Sequence, residues 1–489
     1  MADIKLPKLK KVGEAGTNVD IPASDNPQPN PDKKTILLLS DDCRMTSGVG
    51  VMSLEIIRQT CQQFNWVQIG GAIKHPEEGK KFDCSEDLRN TSGVKDAFLA
   101  VHPTSGYGND EQVRNLMNEY NPDAIMIYTD PRFWKWLFSM SHEIRQQIPI
   151  FYYNIWDDLP FPHWNEPFYE SVDCLMNITK QTYNIVKNVR KNVPVKDWEC
   201  TLVPHGINEK VFFPITKEHD DYEDFLKFKD ANLINKKTDF IVLWNNRNIR
   251  RKLPGDVVLS FKHFVDKLSK EQREKTLLVM KTQPIDNNGT DLIEVIKNVA
   301  PEINVLFFAE RNDERTMNFF YNMADVTINI ASNEGFGLGT AESLMAGTPI
   351  VVNVTGGLQD QCGFRKEDGS LLTKEDYTKE WGSNHDGRYK EHGSWVKPVW
   401  PVSLSLQGSP PTPYIFDDRP DWRHSGDRLY EWYNTPAEER EKAGQEGREY
   451  CLREDTMLSA KSMGNAVIKS AMDCWDNWEP VKQFQVYEV

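Results

Sequence analysis

Two glutamates and a run of glycines follow an apolar strand-like stretch in the second half of the chain. The segment VTINIASNEGFGLGTAESLMAGTPIVVNVTGGLQD covers residues 326–360, and its apolar start predicts a buried strand that ends at Ala331. Glu334 lies in the glycine-rich loop that follows, and a helix is predicted to begin near Leu338. Glycines let the backbone approach a ligand, and the free amides at a helix start attract anions. Glu342 stands two turns along this helix, where it can meet a different part of one extended ligand.

This arrangement suits a ligand that carries a diphosphate between two hydroxyl-rich groups, as a nucleotide-sugar does. Carboxylates repel phosphate but accept hydrogen bonds from hydroxyl groups. The segment resembles the E-x7-E motif of the retaining GT-B glycosyltransferases, in particular glycosyltransferase family 4, whose pattern is close to EGFGLPxLEAMAxGxPVVxxxxGG. The resemblance covers about 24 consecutive residues.

The resemblance implies a donor-binding role for the loop and the helix. It implies that Glu334 holds hydroxyl groups of the donor sugar and that Glu342 grips the ribose. Gly339 stands where the family has proline. Four consecutive residues would offer their amides to the donor sugar and its phosphates: Gly335, Phe336, Gly337 and Leu338.

A basic segment upstream, LWNNRNIRRKLPGDVVLSF, resembles the family stretch GRLxxxKG. Arg247 and Lys252 stand at the matching offset, and Arg250 and Arg251 are predicted to be surface charges. Two fixed cations beside a diphosphate can neutralise the charge that grows as the glycosidic bond breaks, so no metal is required. The resemblance therefore implies that Arg247, Lys252 and Glu334 are catalytic, and that the donor is a substrate with no further cofactor.

In the first half of the chain, SGVG at 47–50 resembles the family's GGVG turn, which approaches the donor phosphate and the acceptor. Gly48 and Gly50 are accordingly predicted to bind the donor. A short glycine turn also serves helix packing in many α/β proteins. The stretch TLVPHGINEKVFFP resembles the family segment VIPNGVDxxxFxP, in which His205 has either a structural role or a place near the cleft.

The acceptor side is marked less sharply. The family's histidine at the end of a middle strand is not evident in FYYNIWDDLPFPHW, and Asp157, Asp158 and His163 are the candidates there. The two aspartates fit an acceptor contact and helix capping equally well, and a plain loop position is favoured for His163. The acidic run HDDYEDF at 219–225 has no preceding buried strand, which indicates solvated charges and not a metal site.

Strand and helix patterns alternate in two series, which predicts an α/β protein of the GT-B type, with two Rossmann-like doubly wound parallel-sheet domains facing a cleft. We predict four parts: a flexible N-terminal arm (1–34), an acceptor domain (35–235), a nucleotide-sugar domain (236–465) with an insertion at about 363–420, and a C-terminal helix (466–489) that packs back on the first domain.

Composition limits the function classes. A formal net charge of −15 disfavours broad binding to nucleic acid or to anionic membranes, because such binding needs a basic surface. Eight cysteines without a CxxC pair indicate free thiols in a reducing compartment. No signal peptide and no stretch of about 18 apolar residues is evident, so a cytoplasmic protein is expected.

The sequence thus predicts a retaining, metal-independent glycosyltransferase. It would move a hexose-type sugar from a UDP-, GDP- or ADP-linked donor to a hydroxyl group, on a glycan or glycoconjugate. Three alternatives stay open: an epimerase or phosphorylase of the same fold, a sugar-nucleotide-binding module without transfer, and a modified DNA base as acceptor, which the net charge disfavours. A homo-oligomer is also left open.

Overall fold

The computed structural model describes residues 28–72, 74–190, 195–233, 237–377, 384–385 and 388–482. The predicted arm at 1–34 lies outside these residues up to position 27, and so does the predicted junction at residue 235. The described chain forms two parallel sheets covered by helices.

The first sheet contains eight strands in the described residues, parallel except for an antiparallel pair at one edge. In chain order they are β1 (Lys34–Asp41), β2 (Phe64–Ala72), β3 (Phe82–Asp83), β4 (Leu99–Ser105), β5 (Ala124–Tyr128), β6 (Ile150–Asn154), β7 (Cys174–Asn177) and β8 (Cys200–Leu202). Their order across the sheet is β3-β4-β2-β1-β5-β6-β7-β8. The helices that precede the second sheet along the chain are α1 (Gly48–Thr60), α2 (Ser85–Ser92), α3 (Asp110–Tyr120), α4 (Lys135–Ser139), α5 (Ser141–Ile144), α6 (Glu166–Glu170), α7 (Lys180–Val189) and α8 (Tyr222–Asn232).

The second sheet is parallel throughout, with the order β11-β10-β9-β12-β13-β14. Its strands are β9 (Phe240–Asn245), β10 (Thr276–Lys281), β11 (Val305–Phe307), β12 (Val326–Asn329), β13 (Ile350–Asn353) and β14 (Val396–Val399). Its helices are α9 (Pro254–Asp266), α10 (Lys270–Arg273), α11 (Leu292–Val299), α12 (Glu314–Met323), α13 (Leu338–Met345), α14 (Leu358–Gln361), α15 (Trp422–Asn434) and α16 (Ala437–Leu452).

The segment predicted as an insertion contains regular structure. Strand β14 completes the second sheet there, and an antiparallel hairpin follows, formed by β15 (Pro401–Ser409) and β16 (Thr412–Pro420). The amide of Phe416 donates to the carbonyl of Leu159 at 2.7 Å, so the hairpin reaches the first domain.

Alternation along the strands builds the core. Leu37 and Leu39 of β1 lie in one apolar cluster, whereas Ile36 and Leu38 lie in another. The second of these clusters also contains Leu243 of β9. The apolar core is therefore continuous between the two sheets.

The last helix, α17 (Ala460–Asn477), packs on α1 of the first domain. Two glycines allow the close approach: a methyl group on Gly464 would lie 2.6 Å from Cβ of Gln59, and one on Gly206 would lie 2.6 Å from Cα of Ala460. The indole of Trp475 donates to the carbonyl of Asp123 at 3.0 Å. The end of the second domain is thus anchored on the first.

Candidate active site

The loop between β12 and α13 ends at a glycine in the left-handed backbone conformation. Gly337 has a φ of +88°, which L side chains rarely adopt, and α13 begins directly after it. The side-chain amide of Gln361 donates to the carbonyls of Phe336 (2.6 Å) and Gly337 (3.0 Å). The loop is therefore held through its carbonyl groups at the helix start, where amides point away from the helix and attract anions.

A buried ion pair lies in the middle of this loop. The Lys252 ammonium donates to Oε2 of Glu334, and the side-chain amide of Asn329 donates to the same oxygen at 3.3 Å. Both charged side chains are buried. Strands β9 and β12 are neighbours in the sheet, so the loops at their carboxyl ends meet at one edge. The structure thus brings Lys252 and Glu334 together.

The protonation of this pair follows from burial and mutual attraction. Burial lowers the pKa of Lys252 to about 8, although Glu334 opposes the shift. Burial raises the pKa of Glu334, but the attraction of Lys252 and Arg251 outweighs it and holds the pKa below its usual range. Both groups are charged at neutral pH, which favours an ionic role toward a ligand.

The second predicted cation has a different environment. The Arg247 side chain is 66% exposed, and its Nε lies 3.2 Å from Asp286. Arg251, predicted to be a surface charge, has a side chain that is 47% exposed, and its guanidinium also lies 3.9 Å from Oε1 of Glu334 and donates to the Asn333 carbonyl at 2.7 Å. The structure therefore places Arg251 beside the Glu334 carboxylate and Arg247 at the solvent-exposed rim of this site.

Backbone geometry after β9 explains this placement. Residues Arg250–Lys252 form a 3₁₀ turn, and Leu253 follows with a φ of +49°. The sequence offset to Lys252 fits the family stretch, but the offset alone does not show which arginine the turn directs toward β12. The backbone hydrogen bond from Ser332 to the Arg251 carbonyl (2.8 Å) locks the two loops together.

Glu342 lies on α13 in a separate hydrogen-bond network. Its Oε2 accepts a hydrogen bond from the Tyr321 hydroxyl at 2.6 Å, and Asn245 donates to that hydroxyl at 2.7 Å. Burial raises the pKa of Glu342 to about 7, against the effect of the Tyr321 hydrogen bond. A methyl group on Gly339 would lie 3.1 Å from the Asn245 carbonyl, so glycine lets α13 approach the end of β9.

The glycine turn of the first domain faces this loop. A methyl group on Gly48 would lie 3.3 Å from Cδ1 of Leu338, so two predicted donor-binding segments meet across the cleft. Ser47 caps α1 by accepting a hydrogen bond from the Gly50 amide at 3.0 Å. A methyl group on Gly50 would lie 2.8 Å from the carbonyls of Asp42 and Met45, so that glycine is required for packing.

Asp157 is the acceptor-side candidate that has an unpaired buried oxygen near the donor loop. Its Oδ2 is buried and has no hydrogen-bond partner among the described residues. This oxygen would lie 3.0 Å from a methyl group on Gly356, and its Cγ would lie 3.8 Å from one on Gly335. Burial raises its pKa to about 6; Arg251 opposes the shift and Glu334 adds to it. An unpaired buried carboxylate here is available to a ligand hydroxyl.

Asp158 and His163 have other surroundings. Oδ1 of Asp158 accepts hydrogen bonds from the side-chain amides of Asn333 (2.9 Å) and Asn384 (3.2 Å). Asp158 therefore joins the two domains. His163 is exposed at the start of a 3₁₀ turn, with its ring 6.4 Å from that of Phe161.

His205 supports the donor loop from the first domain. Its ring lies 5.0 Å from that of Phe336, and its Nδ1 and Nε2 lie 2.9 and 3.3 Å from the hydroxyls of Tyr153 and Tyr128. Burial lowers the pKa of His205 to about 3, so the ring is neutral. These contacts position Phe336. The sequence alone did not indicate that His205 contacts this residue.

Two further observations bear on cofactors and membranes. Within the described ranges, no three His, Cys, Asp or Glu side chains are grouped as metal ligands, and Asp221 and Asp224 of the acidic run pair with Arg315 at 2.6 and 2.8 Å. The helices in the described part of the chain all fall short of the length and apolar character that a bilayer crossing demands.

Comparison with known proteins shows similarity in part of the chain. Residues 224–379 match the family model for glycosyl transferases group 1. Alpha-monoglucosyldiacylglycerol synthase of Acholeplasma laidlawii is 28% identical over 182 residues, 37% of this chain and 42% of that protein. The chain therefore spans less than half the length of this curated relative.

Solved structures share the fold over nearly the whole chain. Sucrose-phosphate synthase from Thermosynechococcus elongatus is 14% identical with a TM-score of 0.60, covering 91% of this chain and 100% of that one. HepE from Anabaena, solved with UDP and glucose, is 11% identical with a TM-score of 0.58, covering 90% and 99%. A trehalose 6-phosphate synthase from Burkholderia multivorans is 11% identical with a TM-score of 0.55, covering 91% and 97%.

The chain has the GT-B glycosyltransferase fold, and the predicted fold class is confirmed. Its second domain carries the match to glycosyl transferases group 1, so the predicted resemblance is confirmed at that level.

Proposed function

We propose that the protein is a retaining glycosyltransferase of the family 4 type, which moves a hexose-type sugar from a nucleotide-sugar to a hydroxyl group of a glycan or glycoconjugate. The observation that carries the proposal is the buried Glu334–Lys252 ion pair at the β12–α13 loop, which faces Gly48 across the cleft. UDP-glucose is the first donor to test, because HepE was solved with it.

The donor diphosphate would lie at the start of α13. The amides of Gly335 to Leu338 would contact it, and Lys252 and Arg251 would neutralise the charge that develops as the sugar leaves. Arg247 stands at the rim, from where rotation of its exposed side chain would bring a third cation. Each preorganised donor of this kind contributes about 3 kcal/mol to the transition state. These cations are also the basis for proposing that no metal is required.

The two glutamates would hold the ends of the donor. Glu334 would accept hydrogen bonds from hydroxyl groups of the sugar while Lys252 keeps it ionised. Glu342 would accept from the ribose hydroxyls, for which its deprotonated form is needed. The separate surroundings of the two carboxylates, an ammonium for one and a phenol for the other, support these separate roles.

Transfer would proceed by substitution on the front face. The bond from the anomeric carbon to the phosphate oxygen breaks, and a bond to the acceptor oxygen forms on the same face. The acceptor proton passes to the leaving diphosphate, while Asp157 accepts a hydrogen bond from the acceptor hydroxyl and orients it. Retention rests on the E-x7-E resemblance, and the role of Asp157 rests on its unpaired buried Oδ2.

A cytoplasmic location completes the proposal. All eight cysteines are free and buried, which agrees with a reducing compartment. Fractionation of cells that express a tagged full-length chain tests this directly, and recovery in the cytosolic fraction is the expected result.

The test is turnover with UDP-glucose, GDP-mannose and ADP-glucose in the presence of an acceptor panel and EDTA. We expect release of one nucleoside diphosphate and a product that proton NMR shows to have the donor's anomeric configuration. Lys252→Met should lose at least 100-fold in kcat, whereas Lys297→Met, at a 70% exposed lysine on α11, should not.

Other outcomes assign a different function. An inverted product contradicts retention, and loss of turnover in EDTA contradicts metal independence. An epimerised nucleotide-sugar indicates an epimerase, and a sugar phosphate formed with inorganic phosphate indicates a phosphorylase. Donor binding without release of nucleotide indicates a binding module.

A further inference from the structure

The β15–β16 hairpin has a strand edge that no other strand covers in the described part of the chain. The hairpin is a sheet of two strands, separate from the two parallel sheets. A free edge presents a row of amide and carbonyl groups to any strand that approaches, and proteins commonly block such edges with charged side chains, proline or a covering loop. Which of the two strands is free, and whether it is blocked, decides what this hairpin can bind.

Strand β16 is the strand that faces the rest of the molecule. Its Phe416 amide donates to the Leu159 carbonyl of the first domain at 2.7 Å. Its Asp418 amide donates to the Ser332 carbonyl of the second domain at 3.1 Å. The backbone groups of these two residues are therefore directed away from β15. Strand β15 is the outer strand, and its far edge is turned away from both domains.

The pairing register shows which backbone groups of β15 point to that outer edge. Leu404 lies opposite Asp418, and Leu406 lies opposite Phe416. Residues directly opposite each other in an antiparallel pair either both direct their N–H and C=O groups toward the partner strand or both direct them away. Because Asp418 and Phe416 direct theirs away from β15, Leu404 and Leu406 direct theirs to the outer edge. Among the described residues, no third strand pairs with these groups.

The same two leucines expose their side chains. Leu404 is 50% exposed and Leu406 is 59% exposed. Apolar side chains that lie together in the open mark interaction surfaces. No Asp, Glu, Lys or Arg occurs from 398 to 416, although these residues make up 27% of the chain. The outer edge of β15 therefore lacks the charges that commonly keep a second strand away.

The central part of β15 is nearly symmetric about Ser405. The register is regular from Ser403 to Gln407, which reads SLSLQ. When two copies of this segment pair in antiparallel fashion about a twofold axis at Ser405, Leu404 of each copy lies opposite Leu406 of the other. The outward N–H and C=O groups of these leucines then hydrogen-bond across the axis, and the leucine side chains of both copies meet on one face of the joined sheet.

A membrane suits this hairpin less well than a second copy does. The exposed leucines lie on the flank of the hairpin, and its turn at 407–412 reads QGSPPT, which has no large apolar side chain to enter a bilayer. A net charge of −15 also opposes approach to an anionic surface. A second copy carries the same net charge, but pairing through β15 brings the two chains together at an uncharged segment.

We propose that the protein forms a twofold-symmetric dimer by antiparallel pairing of the outer edges of β15, which gives one continuous sheet in the order β16-β15-β15-β16. A twofold interface brings the same surface of both copies together, so it requires a self-complementary edge. Addition of a strand to a free edge obtains affinity from backbone hydrogen bonds and specificity from alternate side chains. This dimer does not depend on the proposed function.

Sedimentation velocity of the full chain over a hundredfold range of concentration tests the dimer. We expect the mass of the wild type to rise toward twice that of one chain. Leu404→Lys/Leu406→Lys places like charges opposite each other across the axis and should stay monomeric at every concentration. Ile293→Lys/Val299→Lys, at residues 45% and 47% exposed on α11, is the matched control and should dimerise as the wild type does.

A cysteine at Ser405 tests the register and does not depend on the lysine variant. Counterparts at the axis form a non-hydrogen-bonded pair with Cα atoms about 4.5 Å apart, which a disulfide can span. Ser405→Cys should therefore give a disulfide-linked dimer on mild oxidation. In Ser403→Cys the two cysteines would be ~13 Å apart along the strands, so no such dimer should form. The eight native cysteines are buried, so they should not compete.

Three results would overturn the proposal. The first is a wild type that stays monomeric over the whole range of concentration. The second is dimerisation of Leu404→Lys/Leu406→Lys equal to that of the wild type, or cross-linking of Ser403→Cys in preference to Ser405→Cys. The third is a monomeric wild type that sediments with vesicles of phosphatidylcholine and phosphatidylglycerol and loses this binding in the lysine variant, which would assign the exposed leucines to a membrane.

Discussion

Several residues at the proposed donor site are charged and buried. Lys252 and Glu334 compensate each other, whereas Asp157 has a buried oxygen without a partner among the described residues. Removing one member of a buried pair costs more than removing both, because the remaining charge is left unpaired. Comparing single and double variants therefore separates the effect of a residue on stability from its effect on ligand binding.

A double-mutant cycle tests the ion pair. Lys252→Met should lower the free energy of unfolding by about 3 kcal/mol, because it leaves Glu334 buried and unpaired. Lys252→Met/Glu334→Gln should recover at least half of that loss and stay inactive. Urea unfolding of the four proteins gives the coupling energy. Strictly additive losses would mean that the pair does not interact.

The stability of Asp157→Asn should depend on pH with a defined sign. The folded pKa of Asp157, about 6, lies above its ordinary value of 3.8, so the fold loses stability as pH rises from about 4 to about 6, and the loss is complete above that range. Asp157→Asn should therefore stabilise the fold by about 1–3 kcal/mol at pH 8 and by almost nothing at pH 4. Thermal unfolding at both pH values measures this, and equal effects at the two would contradict the assigned pKa.

The pH profile of kcat/KM should be bell-shaped. Activity should rise between pH 6 and 7, as Asp157 and Glu342 lose their protons, and fall above about 8, as Lys252 loses its charge. Glu342→Gln should remove the upper part of the rising limb and leave the falling limb in place. A profile that is flat from pH 7 to 9.5 would show that kcat/KM does not depend on the charge of Lys252.

Sequence patterns found part of this residue-level picture. The E-x7-E spacing indicated Glu334 and Glu342, and the offset from Arg247 indicated Lys252. The proximity of Arg251 to Glu334 depends on a single 3₁₀ turn, whose direction no side-chain pattern reports. The surroundings of the unpaired Asp157 oxygen include Gly356 of the second domain, which is distant in the sequence. A pattern of neighbouring residues does not report such a contact.

Among the elements, the start of α13 has the strictest backbone requirement. Gly337→Ala places a methyl group at a φ of +88° and against Leu358. It should cost about 1–2 kcal/mol of stability and weaken donor binding more than tenfold, because the amides that face the diphosphate move. Chemical unfolding and calorimetric titration with the donor measure the two effects.

The matched control for that change is Gly255→Ala. Gly255 lies in the first turn of α9, and a methyl group there has open space around it. Alanine favours helix, so stability should rise slightly and donor binding should not change. Equal loss of binding in both variants would mean that the effect of Gly337→Ala is not local.

Element prediction succeeded where apolar runs were long and failed where they were short or interrupted. The stretches TILLLS and FIVLWNN became β1 and β9. Strand β14 and the β15–β16 hairpin lie in a segment rich in glycine, proline and serine, for which the sequence predicts an insertion. The residues VSLSL alternate apolar and polar side chains, as a strand does. Strand β15 is largely exposed, however, so it has no buried apolar face that would have indicated a core strand.

At the scale of the whole molecule, the two domains are joined on several sides of the cleft. Lys180 pairs with Asp360 at 3.3 Å, Asp158 accepts from Asn333, and Arg58 pairs with Glu314 at 3.3 Å. These polar contacts add to the apolar core that is continuous between the two sheets. Such contacts join residues that are far apart in the chain. The sequence patterns predicted the two domains but not the contacts between them.

The central claim is that a nucleotide-sugar diphosphate binds at the start of α13 beside Lys252. Calorimetric titration of the wild type and of Lys252→Met/Glu334→Gln with UDP-glucose, GDP-mannose and ADP-glucose tests it most directly. We expect saturable binding of one of them to the wild type, and affinity at least thirtyfold weaker in the double variant. Equal affinity in the two proteins, or no binding of any of the three to the wild type, would contradict it.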